Sequence, residues 1–577
     1  MKNSLLCLAL LCSFLSALSQ KPRITWGEEF KLRKGSTDLD VICSDKTGVY
    51  LQEGHMAMKA YFVIGATVRS SASLIKLDKN LTEQYRNSFD KELKGKEFEQ
   101  FFVLPGKLFM LSSVNNKKDR TLDIYAAEID KTTGELTQGW QPISSFQKEE
   151  KKDDINFKIT YNSDSSKIVV VSSVEGKDKN TYQVQEFDKN LRPGKAVTVS
   201  NEFDPKTFQL EDVLYTPEKK IVLVGRIHEY REGKKKKDKF LDFANYNIRV
   251  YDEKGKQQSE INTNINSKWL MSTKLVMEKN KDLVLAAFYS KEKRGTIDGM
   301  LVQRIDPVSG KVLVTSEKEL STALITGEAE EDNSAGDDDG EESKAERKER
   351  EKLEKIRDEG EGFSKHMKFR NIFYTPDNGL VILAEKYHHY TYTTQSYRAG
   401  SGTMPGSWTT TTYSVYESGD LMMCKTDASG NISWLQVLPK YQREVIQGGS
   451  SSGTGISFSN SFFNVMNMPF YSGFAAIQKD NNINILMNDN AKNADVLRPG
   501  QKVKMVSQFR NSNCFVISVD GVTGKYNRNL FFGNKGIPTA MPRLGSIIGN
   551  EMYIVGKEDR LLGKTKIAVA KIAVPQK

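Results

Sequence analysis

The stretch SGDLMMCKTDASGNISW, residues 418–434, decides the fold. An apolar run, Leu421 to Cys424, leads to Asp427. A short polar turn, Ala428-Ser429-Gly430, then opens into a second strand that carries Ile432 and Trp434. The same phrase recurs as LIKLDKNLTEQ at Asp78, AAEIDKTTGEL at Asp130, VQEFDKNLRPGK at Asp188, IRVYDEKGKQ at Asp252, VQRIDPVSGKV at Asp306 and VISVDGVTGKY at Asp520. Self-similarity at a period of several tens of residues marks a repeat architecture. The aspartates end strands at hairpins, so their side chains are expected to cap the turns rather than to do chemistry.

Each phrase closes a unit of four strands, A to D. In the fourth unit, FQLEDVLYTP (208–217) is strand A and IVLVGRIHEY (221–230) is strand B. ANYNIRVYD (244–252) is strand C and KQQSEINTNI (256–265) is strand D. Val, Ile, Tyr and Phe fill these runs and turn residues bound them. In the sixth unit Thr375-Pro376-Asp377-Asn378-Gly379 is a turn in which Pro presets φ and Gly tolerates a positive φ. An eighth strand C, KIAVAKIAV (566–574), has no strand D after it. A spare strand, RITWGEEFKL (23–32), stands at the other end of the chain. Pairing the two closes a ring and removes the open sheet edges. The expected fold is therefore all-β: an eight-bladed β-propeller closed by an N-terminal strand, with seven blades as the alternative.

Composition fits one large domain. The chain has 577 residues, 38% of them apolar, ample for a core. MKNSLLCLALLCSFLSALSQ at the N-terminus combines Lys2, an apolar run and Ala17-Leu18-Ser19, and reads as a signal peptide over 1–19. The run is too short to cross a bilayer, and no later segment qualifies as transmembrane. The expectation is an exported protein: periplasmic, outer-membrane-associated or extracellular. Residues 20–577 form a single propeller domain with a charged flexible insertion at 327–361. Cys43, Cys424 and Cys514 remain after export. They are expected as buried thiols, with a Cys424–Cys514 bridge as the alternative. The net charge of +10 is a small difference between 84 basic and 74 acidic residues. The Lys234–Lys237 run lacks interleaved aromatics, so no nucleic-acid partner is expected.

The phrase around Asp427 resembles the repeat of secreted bacterial β-propellers of the SBBP type. The turns at Asp130, Asp306 and Asp520 resemble the repeats of PQQ-like eight-bladed propellers, in which a docking Trp follows the Gly. Here only Trp434 fills that place. The resemblance implies propeller architecture and an envelope scaffold, and it does not carry over quinone chemistry.

The A–B and C–D turns are short. The long segments, 55–70, 231–243, 326–362, 387–416, 447–457 and 489–511, all fall at B–C or D–A connections, which share one end of a meander. Loops on a rigid scaffold are where binding residues concentrate. Of these segments 387–416 is aromatic and Thr-rich, and Tyr390, Tyr392, Tyr397, Trp408 and Tyr413 are the candidate contact residues. The same pattern also fits a plain extended hairpin. His388 and His389 are adjacent, so in a strand they face opposite sides and cannot share a metal. With five His in all, no metal site, no cofactor and no catalytic residue is assigned. Gly449-Ser450-Ser451-Ser452-Gly453 lacks an entering apolar strand and reads as linker. The function expected is a non-catalytic scaffold, a monomer that binds an envelope protein or glycan. The alternative is a secreted glycan-active hydrolase with carboxylates converging at the propeller channel.

Overall fold

The computed structural model describes residues 23–573 except 34–35, 62–64, 151, 163–164, 233–238, 263–267, 278–281, 293–296, 307–308, 310, 321–328, 331–366, 399–406, 453–454, 458–468, 500 and 559–565. The proposed signal peptide and most of the 327–361 insertion lie outside the described residues. Among the described residues there is no α-helix, only two short 3-10 turns at 491–493 and 509–511. No described helix is long and apolar enough to cross a membrane.

The chain folds as successive antiparallel four-stranded meanders, the arrangement of β-propeller blades. Sheets 1 to 7 span 36–88, 97–147, 154–198, 208–262, 269–319, 367–438 and 474–533. Sheet 8 spans 539–573 and takes its outer strand from the other end of the chain: Arg23–Trp26 pairs antiparallel with the last strand, Arg23 opposite Ala573 and Trp26 opposite Ala570. Phe30 and Lys31 extend the pairing to Ile567 and Lys566. Strands A of neighbouring sheets contact one another, as between sheets 5 and 6 and between sheets 8 and 1, so strands A lie nearest the axis.

The core stretches of strands B are buried on both faces, as in Ile168–Ser173 and Leu283–Ser290, because each sheet packs between two others. Val222, Leu285 and Leu301 belong to the layer between sheets 4 and 5. Ala286, Val302 and Ile382 belong to the layer between sheets 5 and 6. The same alternation continues through every neighbouring pair. A further layer joins the eighth sheet to the first, through Val41, Leu51 and Ile75 against Met541, Val555 and Val569.

The aspartates of the repeated phrase cap their turns. Asp78 accepts from the main-chain N–H of Asn80 and Thr82, Asp427 from Ser429 and Asn431, and Asp520 from Val522 and Thr523. Asp130, Asp188, Asp252 and Asp306 do the same. The turn needs one residue at positive φ. Gly134, Gly255, Gly430 and Gly524 supply it in four copies, and Leu81 and Leu191 in two. Both leucines are buried in intersheet layers, so burial compensates a conformation that a side chain resists.

The turn of each unit is also a seat for its neighbour. Trp434 lies on the turn of sheet 7: its Nε1 donates to Gly521 O at 3.3 Å, and a Cβ on Gly524 would stand 2.6 Å from its ring. Tyr85 lies in the same way on Gly134 of sheet 2, and Val314 on Gly430 of sheet 6. All three occupy one register, opposite the residue two before the turn Asp. The docking position therefore exists where the sequence shows no Trp.

Among the described residues, four of the six segments expected as long loops, 55–70, 231–243, 387–416 and 447–457, continue as sheet, while 489–511 is mainly irregular and 326–362 lies almost wholly outside the described residues. Strands B and C continue past the core as paired hairpins to Tyr61 and Gly65 in sheet 1, and to Glu232 and Lys239 in sheet 4. In sheet 6 they continue to Arg398 and Ser407. Gln442–Ser452 adds to the outer half of the sixth-sheet hairpin, and Gly455–Ser457 adds to that. The Gly-Ser run read as linker is thus partly strand, because Ser and Thr supply unbroken main-chain donors and acceptors. Cys43, Cys424 and Cys514 are buried free thiols. Cys424 sits between sheets 5 and 6 and Cys514 between sheets 7 and 8, so the alternative of a bridge between them is not realised.

Deleting residues 20–32 should bare the edge of Lys566–Ala573 and lower the melting temperature by several degrees with aggregation, read by differential scanning fluorimetry and light scattering; an unchanged melting temperature would refute closure by this strand. Gly524→Ala should cost about 2–3 kcal/mol in urea unfolding, from positive-φ strain plus the clash with the Trp434 ring. Gly106→Ala, at the same φ sign with nothing within 4 Å, should cost only about 1 kcal/mol.

Candidate functional site

Two features meet at the end of the molecule that carries the B–C and D–A connections. The first is a cleft of about 490 Å³ between sheets 6, 7 and 8. Glu444, Gln447, Phe470, Tyr471, Phe509, Arg510, Lys557 and Glu558 are the chief side chains of its wall. They come from the sixth-sheet outgrowth, the approach to sheet 7, the 489–511 connection and the end of strand B in sheet 8. Tyr471 stacks on Phe509 with ring centres 5.6 Å apart, and Lys557 Nζ lies 5.2 Å from the Phe470 ring centre.

Glu444 holds the floor together. Its Oε1 accepts from Phe470 N at 2.8 Å, and its Oε2 accepts from Tyr471 N and Ser472 N, each at 2.8 Å. Burial raises its pKa and outweighs these three N–H donors, which favour the ionised form. The next turn is fixed by Gln442, which accepts from Gly473 N at 2.7 Å and donates to Asn488 O at 2.6 Å.

The second feature lies closer to the axis. Glu385, at the end of the buried run LVILAE in strand B of sheet 6, is fully buried and meets three cations. Lys440 Nζ is 2.7 Å from Oε1; Arg370 Nε is 2.8 Å and Arg543 Nη2 3.1 Å from Oε2. Burial alone would raise the Glu385 pKa, but Lys440, Arg370 and Arg543 together hold it down to about 2. The ring of Tyr387 is bracketed by Lys368 at 4.7 Å, Arg370 at 4.7 Å and Arg543 at 5.0 Å. Both arginines come from strand irregularities. Arg370 is the residue skipped between Phe369 and Asn371, and Arg543 lies in the unpaired stretch between Met541 and Ser546. Bulges re-aim side chains in this way. Gly473 makes room, since a Cβ there would stand 2.5 Å from Arg543 Nε.

The candidate aromatic residues stand on the extended hairpin of sheet 6 and divide between its faces. Tyr392 stacks on Tyr413 at 5.1 Å, with Tyr390 on the same face by register. Tyr397 packs on Trp408 at 5.1 Å on the opposite face, near the tip, where they are 57% and 62% exposed. His388 and His389 also face apart, His388 toward Glu417 and Tyr390 and His389 onto Tyr416. Among the described residues no group of three or more His, Cys, Asp or Glu is placed to hold a metal. The Glu385 cluster was not singled out from sequence. Its signal was a carboxylate continuing a wholly apolar strand.

This geometry defines a β-propeller with a polar and aromatic cleft at one end. No family model and no curated protein matches the chain. Solved structures that align with it include the polysaccharide lyase Uly1, at 11% identity over 96% of this chain and 100% of that one, with a TM-score of 0.37. A Penicillium chrysogenum α-L-arabinanase complexed with arabinobiose aligns at 10% identity over 52% of this chain and 98% of that one, TM-score 0.28. The β-propeller domain of the Trilobed protease from Pyrococcus furiosus aligns at 12% identity over 65% and 95%, TM-score 0.24. Likenesses this distant carry no argument about activity, and the fold class rests on the sheets themselves.

Replacing the buried carboxylate tests the electrostatics. Glu385→Gln should destabilise the protein by about 3–5 kcal/mol at pH 7, because three cations lose their partner. Since the folded pKa is depressed below the ordinary 4.5, the contribution is present above that value and is lost as pH falls toward 2. The gap between wild type and variant in urea unfolding should therefore narrow from pH 5 to pH 3, and a constant gap would refute the ion-pair account.

Proposed function

We propose that the chain is a single eight-bladed propeller, exported after loss of residues 1–19, that acts as a non-catalytic glycan-binding scaffold of the cell envelope. The observation that carries this reading is the cleft, sited where the long connections gather. A rigid ring with elaborations at one end is a platform for recognition. Between protein and glycan as ligand, the cleft wall favours glycan. It sets the half-buried Tyr471 ring, backed by the buried Phe470 and Phe509, among exposed hydrogen-bonding and charged groups, Gln447 and Arg510. Sugar rings present the matching combination of C–H faces and hydroxyl edges. The hairpin tip, with Tyr397 and Trp408 exposed, supplies a second contact for a long chain.

Glu444 and Glu558 both line the cleft, and the Glu444 pKa is raised. That pair is the observation behind a second reading, a glycan hydrolase. The hydrogen bonds weigh against it. A general acid must present its proton to the substrate, whereas both Glu444 oxygens accept from main-chain N–H.

Binding to an array of envelope glycans should be lost by tenfold or more in Tyr471→Ala with Arg510→Ala, and weakened in Trp408→Ala with Tyr397→Ala, in proteins that keep the wild-type circular dichroism spectrum. Equal binding by all of them would refute the assignment. Release of reducing ends by the wild type, abolished in Glu558→Gln, would establish the hydrolase instead.

A further inference from the structure

The cations around Tyr387 exceed what its own fold requires. Among the described residues Glu385 is the one carboxylate in direct contact with them, and its two oxygens are shared by Lys440, Arg370 and Arg543. Lys440 is fully buried and also donates to Ser418 O and Gln442 Oε1, so it belongs to the interior. The other three differ. Arg370 and Arg543 keep 22% and 12% of their side chains exposed, and Lys368 is exposed and reaches the cluster through the Tyr387 ring alone among the contacts described.

The first strands of the other sheets show that this concentration is particular to one side. The same bulge recurs in strand A of sheets 2, 4 and 5, where the residue carried is Glu99, Glu211 and Met271. In sheet 6 it carries Arg370. Arg543 reaches the same place across the short start of sheet 7, over Gly473. Three cations drawn from two sheets thus gather at the axis around one aromatic ring. Partial desolvation against the Tyr387 ring lowers the pKa of the otherwise exposed Lys368, and so does its repulsion by Arg370 and Arg543. An anion seated among them would relieve it.

The cluster adjoins the cleft. Arg543 Nε donates to Ser472 O at 3.2 Å, in the turn that Glu444 clamps, and Tyr387 shares a packed layer with Phe470 and Ile446. We propose that Lys368, Arg370 and Arg543 form an oxyanion site that takes the carboxylate or sulfate group of an acidic sugar, the rest of the glycan lying in the cleft; the sugar part of this inference rests on the glycan-binding reading. Guanidinium groups suit both anions, because their donors match two oxygens at once.

The test uses isothermal titration of the full protein at low ionic strength with oligogalacturonate, a sulfated galactan oligosaccharide, a neutral galactan oligosaccharide and inorganic sulfate. The variants are Lys368→Gln, which leaves the Glu385 pairs intact, and Arg510→Ala in the cleft. An acidic oligosaccharide should bind at least tenfold more tightly than the neutral one. Lys368→Gln should remove most of that preference while leaving neutral binding unchanged, and Arg510→Ala should weaken both. The tighter of the two acidic ligands identifies carboxylate or sulfate as the natural group. Equal binding of acidic and neutral chains, unaffected by Lys368→Gln, overturns the oxyanion site and leaves the cleft reading standing. Lys368-dependent binding of inorganic sulfate with no saccharide bound overturns the glycan reading and the sugar assignment while the anion site survives. No binding of any probe overturns both.

Discussion

Every sheet in this chain has two apolar faces, and neither can be left against water. That constraint organises the molecule. Residues of one strand alternate between two packed layers, as Val381 and Leu383 face sheet 7 while Ile382 and Ala384 face sheet 5. A sheet so placed has no independent stability, because half of its buried area belongs to a neighbour. The series ends only when the last sheet meets the first, which it does through Val555 and Val569 against Leu51 and Ile75. The polar turns serve the same end. A Gly at positive φ leaves space for a side chain of the preceding sheet, so the turn and the layer between sheets are one device.

The architecture was legible because it repeats. A turn that needs one carboxylate, one positive φ and two flanking apolar strands leaves the same mark at Asp78 and at Asp520, and copies reinforce one another. The docking position was only partly legible. Trp434 stands out by its size, whereas Tyr85 and Val314 do the same work with side chains that also fit any strand. The extended hairpins were harder still. Thr-rich and Ser-rich segments read as loops when apolar alternation is the guide, yet 409–418 and 442–452 pair through main-chain bonds that composition does not report.

The candidate site was least legible, and for a physical reason. Arg370 and Arg543 are 173 residues apart, and each looks like an ordinary surface charge in its own segment. A strand bulge and the absence of a Cβ at Gly473 bring them together, and neither leaves a local motif. Glu385 did leave one, since a carboxylate at the end of a fully buried strand demands a partner. The aromatic hairpin was visible in composition, but which face each ring takes follows from register. That register sets Tyr392 and Tyr413 on one side and Tyr397 and Trp408 on the other.

The pairing of Arg23–Trp26 with the last strand also has a temporal meaning. The ion pair between Glu29 and Lys566 joins residues 537 positions apart, about as non-local as a contact in this chain can be. Such contacts carry a large loop-closure cost and form late. A chain emerging from its N-terminus must hold this strand unpaired until almost all of the rest has been made. Through that interval sheet 1 lacks one of its two neighbours, and a mature edge strand is free to pair elsewhere. The ring that protects the finished protein from association is thus the last thing its assembly can provide, and the handling of the unfinished chain falls to whatever holds it during synthesis.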